Sequence, residues 1–174
     1  MEDKLLNKVI VYGGGVIGDL TTLCIRRNGF EVCQIKTDFK NIKDRTYALS
    51  PSSVDWMRSI GLRSEFIDLM HPIHNIEIHR ENSKVNFSAD SVFQPALAYM
   101  VSEKKLLKEI QIKLDSSDIK IYEEPNKINL DNASDKVSIE IEKEIIQASL
   151  LIACDGANSK IKEQLNIRKK IKDF

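Results

Sequence analysis

Glycines near the amino terminus have the spacing that brings a polypeptide backbone close to a phosphate group. Residues 13–18 have the sequence Gly-Gly-Gly-Val-Ile-Gly and fit the pattern GxGxxG. In this pattern the first glycine makes a tight turn, the second lets the backbone approach a pyrophosphate, and the third permits close helix packing. The N–H groups and positive dipole end of the following helix would bind the phosphates. The candidate nucleotide-binding residues of this loop are Gly13, Gly14, Gly15, Ile17 and Gly18.

The segments on both sides of the glycines predict the elements that this chemistry requires. Residues 9–12 are β-branched and aromatic, as is typical of a strand, and residues 17–28 carry apolar side chains at helical spacing. Asn28 and Gly29 predict a left-handed cap at the end of that helix, and residues 31–35 predict a second strand. A strand, helix and strand in this order form a βαβ unit with parallel strands. The bare glycine pattern is weak evidence, but in this context it favours nucleotide binding.

The residue at the end of the second predicted strand does not decide between two kinds of nucleotide. This fold normally places an acidic residue there, which accepts a hydrogen bond from a ribose hydroxyl. The present chain has Lys36 at that position, and Asp19 adds an anion just after the last glycine of the loop. A cation at the strand end suggests a 2′-phosphate, so an NADP-binding module is one alternative.

The rest of the chain predicts a mixture of helices and short strands. Ser50 followed by Pro51 predicts a capped helix start, and Ser102 is a candidate cap for a helix over residues 102–114. Another helix is predicted over residues 64–70, and a last one ends near Ile167. Apolar patterning predicts further strands at residues 76–78, 85–87, 119–122, 127–130, 137–141, 144–148 and 150–154, the last of them buried.

Two longer segments carry a more specific signal than the glycines. Residues 44–53 have the sequence Asp-Arg-Thr-Tyr-Ala-Leu-Ser-Pro-Ser-Ser, and residues 151–159 have the sequence Leu-Ile-Ala-Cys-Asp-Gly-Ala-Asn-Ser. Between them, residues 96–101 have the sequence Ala-Leu-Ala-Tyr-Met-Val. Together with the glycine loop, and in this order, these segments resemble the FAD-dependent hydroxylases of ubiquinone biosynthesis, which include octaprenyl-methoxyphenol hydroxylases. The resemblance covers essentially the whole chain.

The resemblance implies an α/β fold and an oxidative function. The fold would be a Rossmann-like FAD/NAD(P)-binding domain formed by residues 1–70 and 100–174, with residues 71–99 as the start of a smaller β-sheet substrate domain. The complete enzyme would use FAD, NAD(P)H and oxygen to hydroxylate the ring of a polyprenyl-phenol. Because the cofactor carries the chemistry in such enzymes, we predict no catalytic residue in this chain.

The resemblance also assigns residues to the flavin nucleotide. Arg45 would offer a planar set of donors to phosphate or ribityl oxygens, although it is otherwise a surface cation. Asp155 would accept hydrogen bonds from the ribityl chain, or would merely cap the next helix. Gly156 would let the cofactor lie close to the backbone.

Three lysines depart from the family pattern. Lys36 replaces a ribose-binding glutamate, Lys104 stands where the family often has arginine, and Lys162 replaces another arginine. Lysine keeps the positive charge of arginine but loses its bidentate geometry, so we expect Lys104 and Lys162 to weaken nucleotide binding. The change at Lys36 removes an acceptor.

The family's GD motif would lie beyond Phe174, so the resemblance implies a truncated FAD-binding domain. Three alternatives follow for the chain by itself. It is the FAD-binding half of a split hydroxylase completed by a separate polypeptide, an inactive remnant of that enzyme, or a stand-alone NADP-binding module.

Composition argues against other classes of partner. The chain has 26 Lys and Arg residues and 26 Asp and Glu residues. Its formal net charge is therefore zero, and it has no strong positive electrostatic field to attract nucleic acid. Its apolar runs are too short to span a membrane, and we expect a cytoplasmic protein for which contact with the inner membrane face stays open. Three cysteines without a CxxC pair predict small buried residues in a reducing compartment. His71, His74 and His79 fit no common zinc pattern, so no metal is predicted.

Overall fold

The structure of the chain, a computed structural model, describes residues 8–37, 44–81, 83–124, 129–133, 136–141 and 144–168. The chain divides into two compact units. One, the discontinuous unit, comprises Met1–Lys40 and Ser117–Phe174, and the other, the central unit, is Asn41–Ser116. The predicted division into residues 1–70 with 100–174 and residues 71–99 stays a prediction.

Helices and strands alternate along the chain. The helices are α1 (Gly15–Arg27), α2 (Pro51–Ser59), α3 (Ser64–Asp68), α4 (Glu103–Asp115) and α5 (Lys160–Gln164). The strands are β1 (Lys8–Tyr12), β2 (Glu31–Lys36), β3 (Thr46–Leu49), β4 (His71–Ile73), β5 (Asn75–Arg80), β6 (Ser83–Ser88), β7 (Ala98–Ser102), β8 (Lys120–Glu123), β9 (Asn129–Ala133), β10 (Lys136–Ile141), β11 (Glu144–Ala148) and β12 (Leu150–Ala153).

The discontinuous unit is built on a parallel sheet with the strand order β12-β1-β2-β8. Strand β1 is central and buries Ile10, Val11 and Tyr12 completely, as a continuous apolar run predicts. Helix α1 connects β1 to β2, and Gly29 follows it with a φ of +86°. These elements confirm the predicted α/β fold, the βαβ unit and its left-handed cap.

An antiparallel sheet of three strands, β11-β10-β9, supplies the other half of this unit's core. Strand β10 alternates buried and exposed side chains, so Ile139 lies on its buried face. Ile139 and Ile146 belong to one apolar cluster with Ile10 and Ile35 of the parallel sheet. The antiparallel strands therefore cover one face of the sheet that carries the glycine loop.

The central unit contains the antiparallel sheet β3-β7-β4 and the hairpin of β5 and β6. Ser50 caps α2 by accepting a hydrogen bond from the Ser53 N–H at 3.2 Å, and Ser102 caps α4 by accepting one from the Lys105 N–H at 3.4 Å. Both predicted caps are confirmed. Strands β3, β4 and β7 were not predicted.

Several local predictions were wrong. Strand β12 was expected to be buried, but it pairs only with β1 at the sheet edge of the described chain, and Leu150 is 51% exposed. Helix α5 ends at Gln164 rather than near Ile167, because Asn166 adopts a left-handed conformation with a φ of +52°. Among the cysteines, Cys24 and Cys154 are only half-buried, whereas Cys33 is buried, and this burial raises the pKa of its thiol to about 11. Among the described residues, no helix combines the length and apolar character needed to cross a membrane.

Candidate nucleotide-binding site

The glycine loop connects the end of β1 to the start of α1 through backbone conformations that favour glycine. Gly13 has a φ of +121° and Gly15 a φ of +74°. The Gly13 N–H donates to the Ile35 carbonyl at 2.9 Å, which ties the loop to β2. A Cβ on Gly13 would lie 2.3 Å from the carbonyl carbon and oxygen of Cys154. Gly13 is therefore required both by its conformation and by this close approach.

Gly18 fixes the distance between α1 and the loop. A Cβ at this position would lie 2.4 Å from the Gly13 carbonyl oxygen and 2.9 Å from its carbon. This is the close packing that the pattern predicts for its last glycine. The helix start is thus held directly against the turn.

The amino terminus of α1 is open to a ligand on structural grounds. Its N-cap residue is Gly14, which provides no side chain to accept from the first N–H groups of the helix. Ile17, in the first turn, is 68% exposed. A helix of 13 residues with an uncapped start presents N–H donors and a partial positive charge, which suits a pyrophosphate.

A buried polar cluster lies beneath the loop. The Gln34 side chain is fully buried in β2, and its Nε2 donates to the Gly13 carbonyl at 3.0 Å and to Asp19 Oδ1 at 2.7 Å. Lys36 Nζ lies 3.6 Å from the same carboxylate oxygen. Burial raises the pKa of Asp19, while the hydrogen bond from Gln34 and the charge of Lys36 act to lower it. Sequence reasoning missed Gln34, although a polar residue inside an apolar strand was the available signal.

The turn that follows β12 lies beside the glycine loop, at the carboxyl end of the parallel strands. Parallel pairing aligns Tyr12 with Ala153, and the Cys154 N–H donates to the Tyr12 carbonyl at 2.6 Å. As a result, a Cβ on Gly13 would lie 2.7 Å from the Asp155 nitrogen. The carboxyl ends of parallel strands are where nucleotides bind in open α/β sheets.

Asp155 and Gly156 have different structural roles in that turn. Asp155 Oδ2 accepts a hydrogen bond from the Ile161 N–H at 3.2 Å. Asp155 therefore caps the start of α5, which is the second of the two roles considered for it. Gly156 has a φ of +80°, and a Cβ there would meet no heavy atom of the described residues within 4 Å. Lys162 contributes its N–H to the same helix start, donating to Ser159 Oγ at 3.0 Å. A role for Asp155 toward a ribityl chain stays a prediction.

Arg45 and Lys104 belong to the central unit, where β3 pairs with β7. The Arg45 side chain is 72% exposed, and its Nε lies 3.9 Å from Glu103 Oε2. The Lys104 N–H donates to Asp44 Oδ1 at 3.3 Å, and Ser102 Oγ donates to the same oxygen at 2.8 Å. The hydrogen bond from Ser102 lowers the pKa of Asp44. The two cations therefore lie at one end of α4, and their cofactor contacts stay predictions.

The central unit contains a cavity that no sequence motif predicted. The cavity has a volume of about 470 Å³, and its lining combines apolar side chains, among them Phe66, Met100 and Ile112, with an equal number of polar and charged ones. In its wall Arg63 donates to Glu109 through two nitrogens, with Nε 2.7 Å from Oε1 and Nη2 2.6 Å from Oε2. Glu109 is buried, whereas Arg63 is largely exposed. Both carboxylate oxygens of Glu109 therefore accept from the guanidinium group, which is the bidentate geometry of a strong ion pair.

The Arg63–Glu109 pair makes the stability of the chain depend on pH. The hydrogen bond from Arg63 holds the pKa of Glu109 below its ordinary value, so the pair stabilises the fold above that value. We expect Glu109→Gln to lower Tm by several degrees at neutral pH. The difference should shrink as pH falls through the lowered pKa, because Glu109 then becomes protonated in the folded state. Thermal melts of both chains between neutral and acidic pH measure this.

The exposed Asp68→Asn on α3 provides the matched control, since it removes a carboxylate without breaking a buried pair. Its Tm should follow that of the unmodified chain at every pH. A constant Tm difference for Glu109→Gln would contradict the prediction.

Metal chemistry has no candidate ligand cluster in the described residues. No group of three His, Cys, Asp or Glu side chains in them is arranged to hold an ion. His71 and His79 are exposed on strands, and His79 Nε2 lies 3.2 Å from Glu77 Oε2.

A glycine loop between a parallel strand and a helix, with a second glycine turn beside it, defines a dinucleotide-binding domain of the Rossmann type. The chain matches the family model described as FAD binding domain over residues 7–173. It belongs to this FAD-binding family.

Curated relatives and solved structures agree with this assignment. The chain is 27% identical to the 3-demethoxyubiquinol 3-hydroxylase of Escherichia coli (strain K12), covering 92% of this chain and 44% of that protein. It is 29% identical to the kynurenine 3-monooxygenase of Dictyostelium discoideum, covering 92% of this chain and 36% of that protein. The chain therefore spans less than half the length of these relatives.

The similar solved structures extend the agreement to the fold. The p-nitrophenol 4-monooxygenase PnpA from Pseudomonas putida DLL-E4 has a TM-score of 0.73 at 19% identity, covering 92% of this chain and 43% of that one. Klebsiella pneumoniae HpxO, complexed with FAD and uric acid, has a TM-score of 0.70 at 19% identity, covering 94% and 43%. At these identities the likeness concerns the fold alone.

Proposed function

We propose that this chain is the FAD-binding part of a flavin monooxygenase that uses NAD(P)H and oxygen to hydroxylate an aromatic ring. The single observation that supports this best is the meeting of two glycine turns, at Gly13 and Gly156, at the carboxyl edge of one parallel sheet. We further propose a polyprenyl-phenol of ubiquinone biosynthesis as the substrate. The similarity to 3-demethoxyubiquinol 3-hydroxylase over 92% of this chain supports that choice.

The described residues fit an FAD pyrophosphate at the glycine loop. The start of α1 offers N–H groups that no N-cap side chain satisfies, and the left-handed turn at Gly156 leaves open space where a side chain would stand. When bound, FAD supplies the redox chemistry of the proposed reaction. The protein's part is to hold and orient the nucleotide, with Arg45 and Lys104 as proposed cations for its phosphate or ribityl oxygens.

The proposed role of Gly156 is tested by comparison with Gly29. Both glycines are left-handed, and a Cβ on either would meet no heavy atom of the described residues within 4 Å, so alanine at either position should cost about 1 kcal/mol of stability. Only Gly156→Ala places a methyl group where the cofactor is proposed to approach. We expect it to weaken FAD binding at least about tenfold, while Gly29→Ala leaves the affinity unchanged.

The measurement is titration of each purified chain with FAD, followed by flavin fluorescence, alongside urea unfolding of the same preparations. An unmodified chain without measurable FAD affinity would count against the proposed function. Equal affinities for Gly156→Ala and Gly29→Ala would remove Gly156 from the site. In an assay of the complete enzyme, hydroxylated product from a polyprenyl-phenol, and none from kynurenine, would support the substrate assignment.

A further inference from the structure

The lysine at the end of β2 is part of an ion pair. Lys36 occupies the position where this fold normally has a ribose-binding acid. Its Nζ lies 3.6 Å from Oδ1 of Asp19, and the Asp19 side chain is only 5% exposed. Asp19 follows Gly18 directly in α1, and the buried Gln34 amide joins its carboxylate to the Gly13 carbonyl of the glycine loop.

A hydrogen bond from the buried Gln34 amide fixes the orientation of the Asp19 carboxylate. Gln34 Nε2 donates one hydrogen to Asp19 Oδ1 at 2.7 Å and the other to the Gly13 carbonyl at 3.0 Å. Gln34 is fully buried, so this amide has little freedom to turn away. The carboxylate is consequently held between a buried amide and the ammonium group of Lys36.

We infer that Asp19 determines nucleotide specificity by pairing with Lys36, so that the site accepts an adenosine ribose with a free 2′-hydroxyl and rejects one with a 2′-phosphate. The inference rests on the nucleotide-binding function proposed above. A paired ammonium group still donates to a hydroxyl oxygen. A dianionic phosphate at the same place would lie close to the buried carboxylate, and like charges in a poorly solvated setting repel strongly.

This arrangement explains how a lysine stands at the ribose position of an FAD-binding domain. A lysine alone would favour a 2′-phosphate, whereas the Asp19–Lys36 pair carries no net charge. The acid that normally lies on the strand is in effect supplied by the neighbouring helix. Asp19 acts through Lys36 and is therefore a positioning residue.

The test compares the affinities of the full 174-residue chain for ADP-ribose and 2′-phospho-ADP-ribose by calorimetric titration. The unmodified chain should prefer ADP-ribose. Asp19→Asn keeps the shape and an acceptor for Gln34 but removes the charge, and should shift the ratio of affinities toward the phosphorylated ligand by about tenfold or more. Glu31→Gln is the control, because Glu31 also pairs with a lysine, Lys8 at 3.5 Å, and gives the same change in net charge.

A second variant keeps the inference testable if Asp19→Asn fails to fold. Lys36→Met removes the positive charge that offsets the Asp19 carboxylate. It should therefore increase the preference for ADP-ribose over the phosphorylated ligand. If both variants keep the ratio of the unmodified chain while ADP-ribose and FAD still bind, the inference is overturned and the nucleotide-binding function stands. If neither ADP-ribose nor FAD binds the unmodified chain, the proposed function fails, and the inference fails with it.

Discussion

Gly13→Ala is expected to destabilise the chain by roughly 3 kcal/mol or more, or to prevent folding of the discontinuous unit. The new Cβ would lie 2.3 Å from the carbonyl carbon and oxygen of Cys154 and 2.7 Å from the nitrogen of Asp155. These are backbone atoms of a turn that follows a paired strand, so they have little room to move. Urea unfolding monitored by circular dichroism gives the difference in the free energy of unfolding.

Gly29→Ala separates the two causes of this loss. Gly29 has a φ of +86° and Gly13 a φ of +121°, so alanine is strained at both positions. A Cβ on Gly29, however, would meet nothing within 4 Å in the described part of the chain, and the cost of this substitution should stay near 1 kcal/mol. If the two variants were destabilised equally, the contact between the glycine loop and residues 154–155 would be unimportant.

Gly18→Ala extends the comparison to the helix side of the loop. Its Cβ would lie 2.4 Å from the Gly13 carbonyl oxygen, so the same turn is packed from two directions. The first and last glycines of the loop are therefore needed to assemble the protein before any ligand is present. This distinguishes them from Gly156, whose surroundings leave space for a side chain.

Elements with a strong local pattern could be predicted from the sequence. The strand over residues 9–12, the helix after the glycines and the caps at Ser50 and Ser102 each depend on neighbours within a few residues. Strands β3, β4 and β7 could not be predicted in this way. They are three to five residues long, β4 contains Pro72, and the residues of β3 pair with residues 50 to 56 positions away. Their pairing therefore depends on contacts that local periodicity does not show.

In the candidate site, too, the features with a local sequence pattern could be predicted and those that depend on distant contacts could not. The glycine loop and the turn at Asp155 and Gly156 were found because their residue types are specific to a backbone conformation. Gln34 was not found, because its importance depends on the fold that places it under Gly13. The pairing of Lys36 with Asp19 likewise joins residues 17 positions apart across a strand and a helix. From the sequence alone, Lys36 was an isolated cation that favoured NADP.

The polar cluster beneath the loop yields the second large expected effect. We expect Gln34→Leu to cost about 2–4 kcal/mol at neutral pH, because it removes one donor from the buried Asp19 carboxylate and one from the Gly13 carbonyl. A small gain offsets part of this loss, since Gln34 Oε1 is itself buried without a partner among the described atoms. Urea unfolding at several pH values measures the net change.

The dependence of that loss on pH identifies its cause. Burial already raises the pKa of Asp19 above its ordinary value, and the Gln34 hydrogen bond opposes the rise. Removing Gln34 should raise this pKa further, so the deficit of the variant grows as pH increases from the raised pKa of the unmodified chain to the higher pKa of the variant. Below both of these pKa values Asp19 is protonated in both folded proteins, and the deficit should be smaller.

Asp19→Leu provides the background for a double-mutant cycle. With the carboxylate absent, Gln34→Leu should cost much less than in the unmodified chain, and the cost should no longer vary with pH over this range. A loss of the same size in both backgrounds would mean that Gln34 stabilises the loop through Gly13 alone. In that case the ion pair with Lys36 would hold the Asp19 carboxylate without help from Gln34.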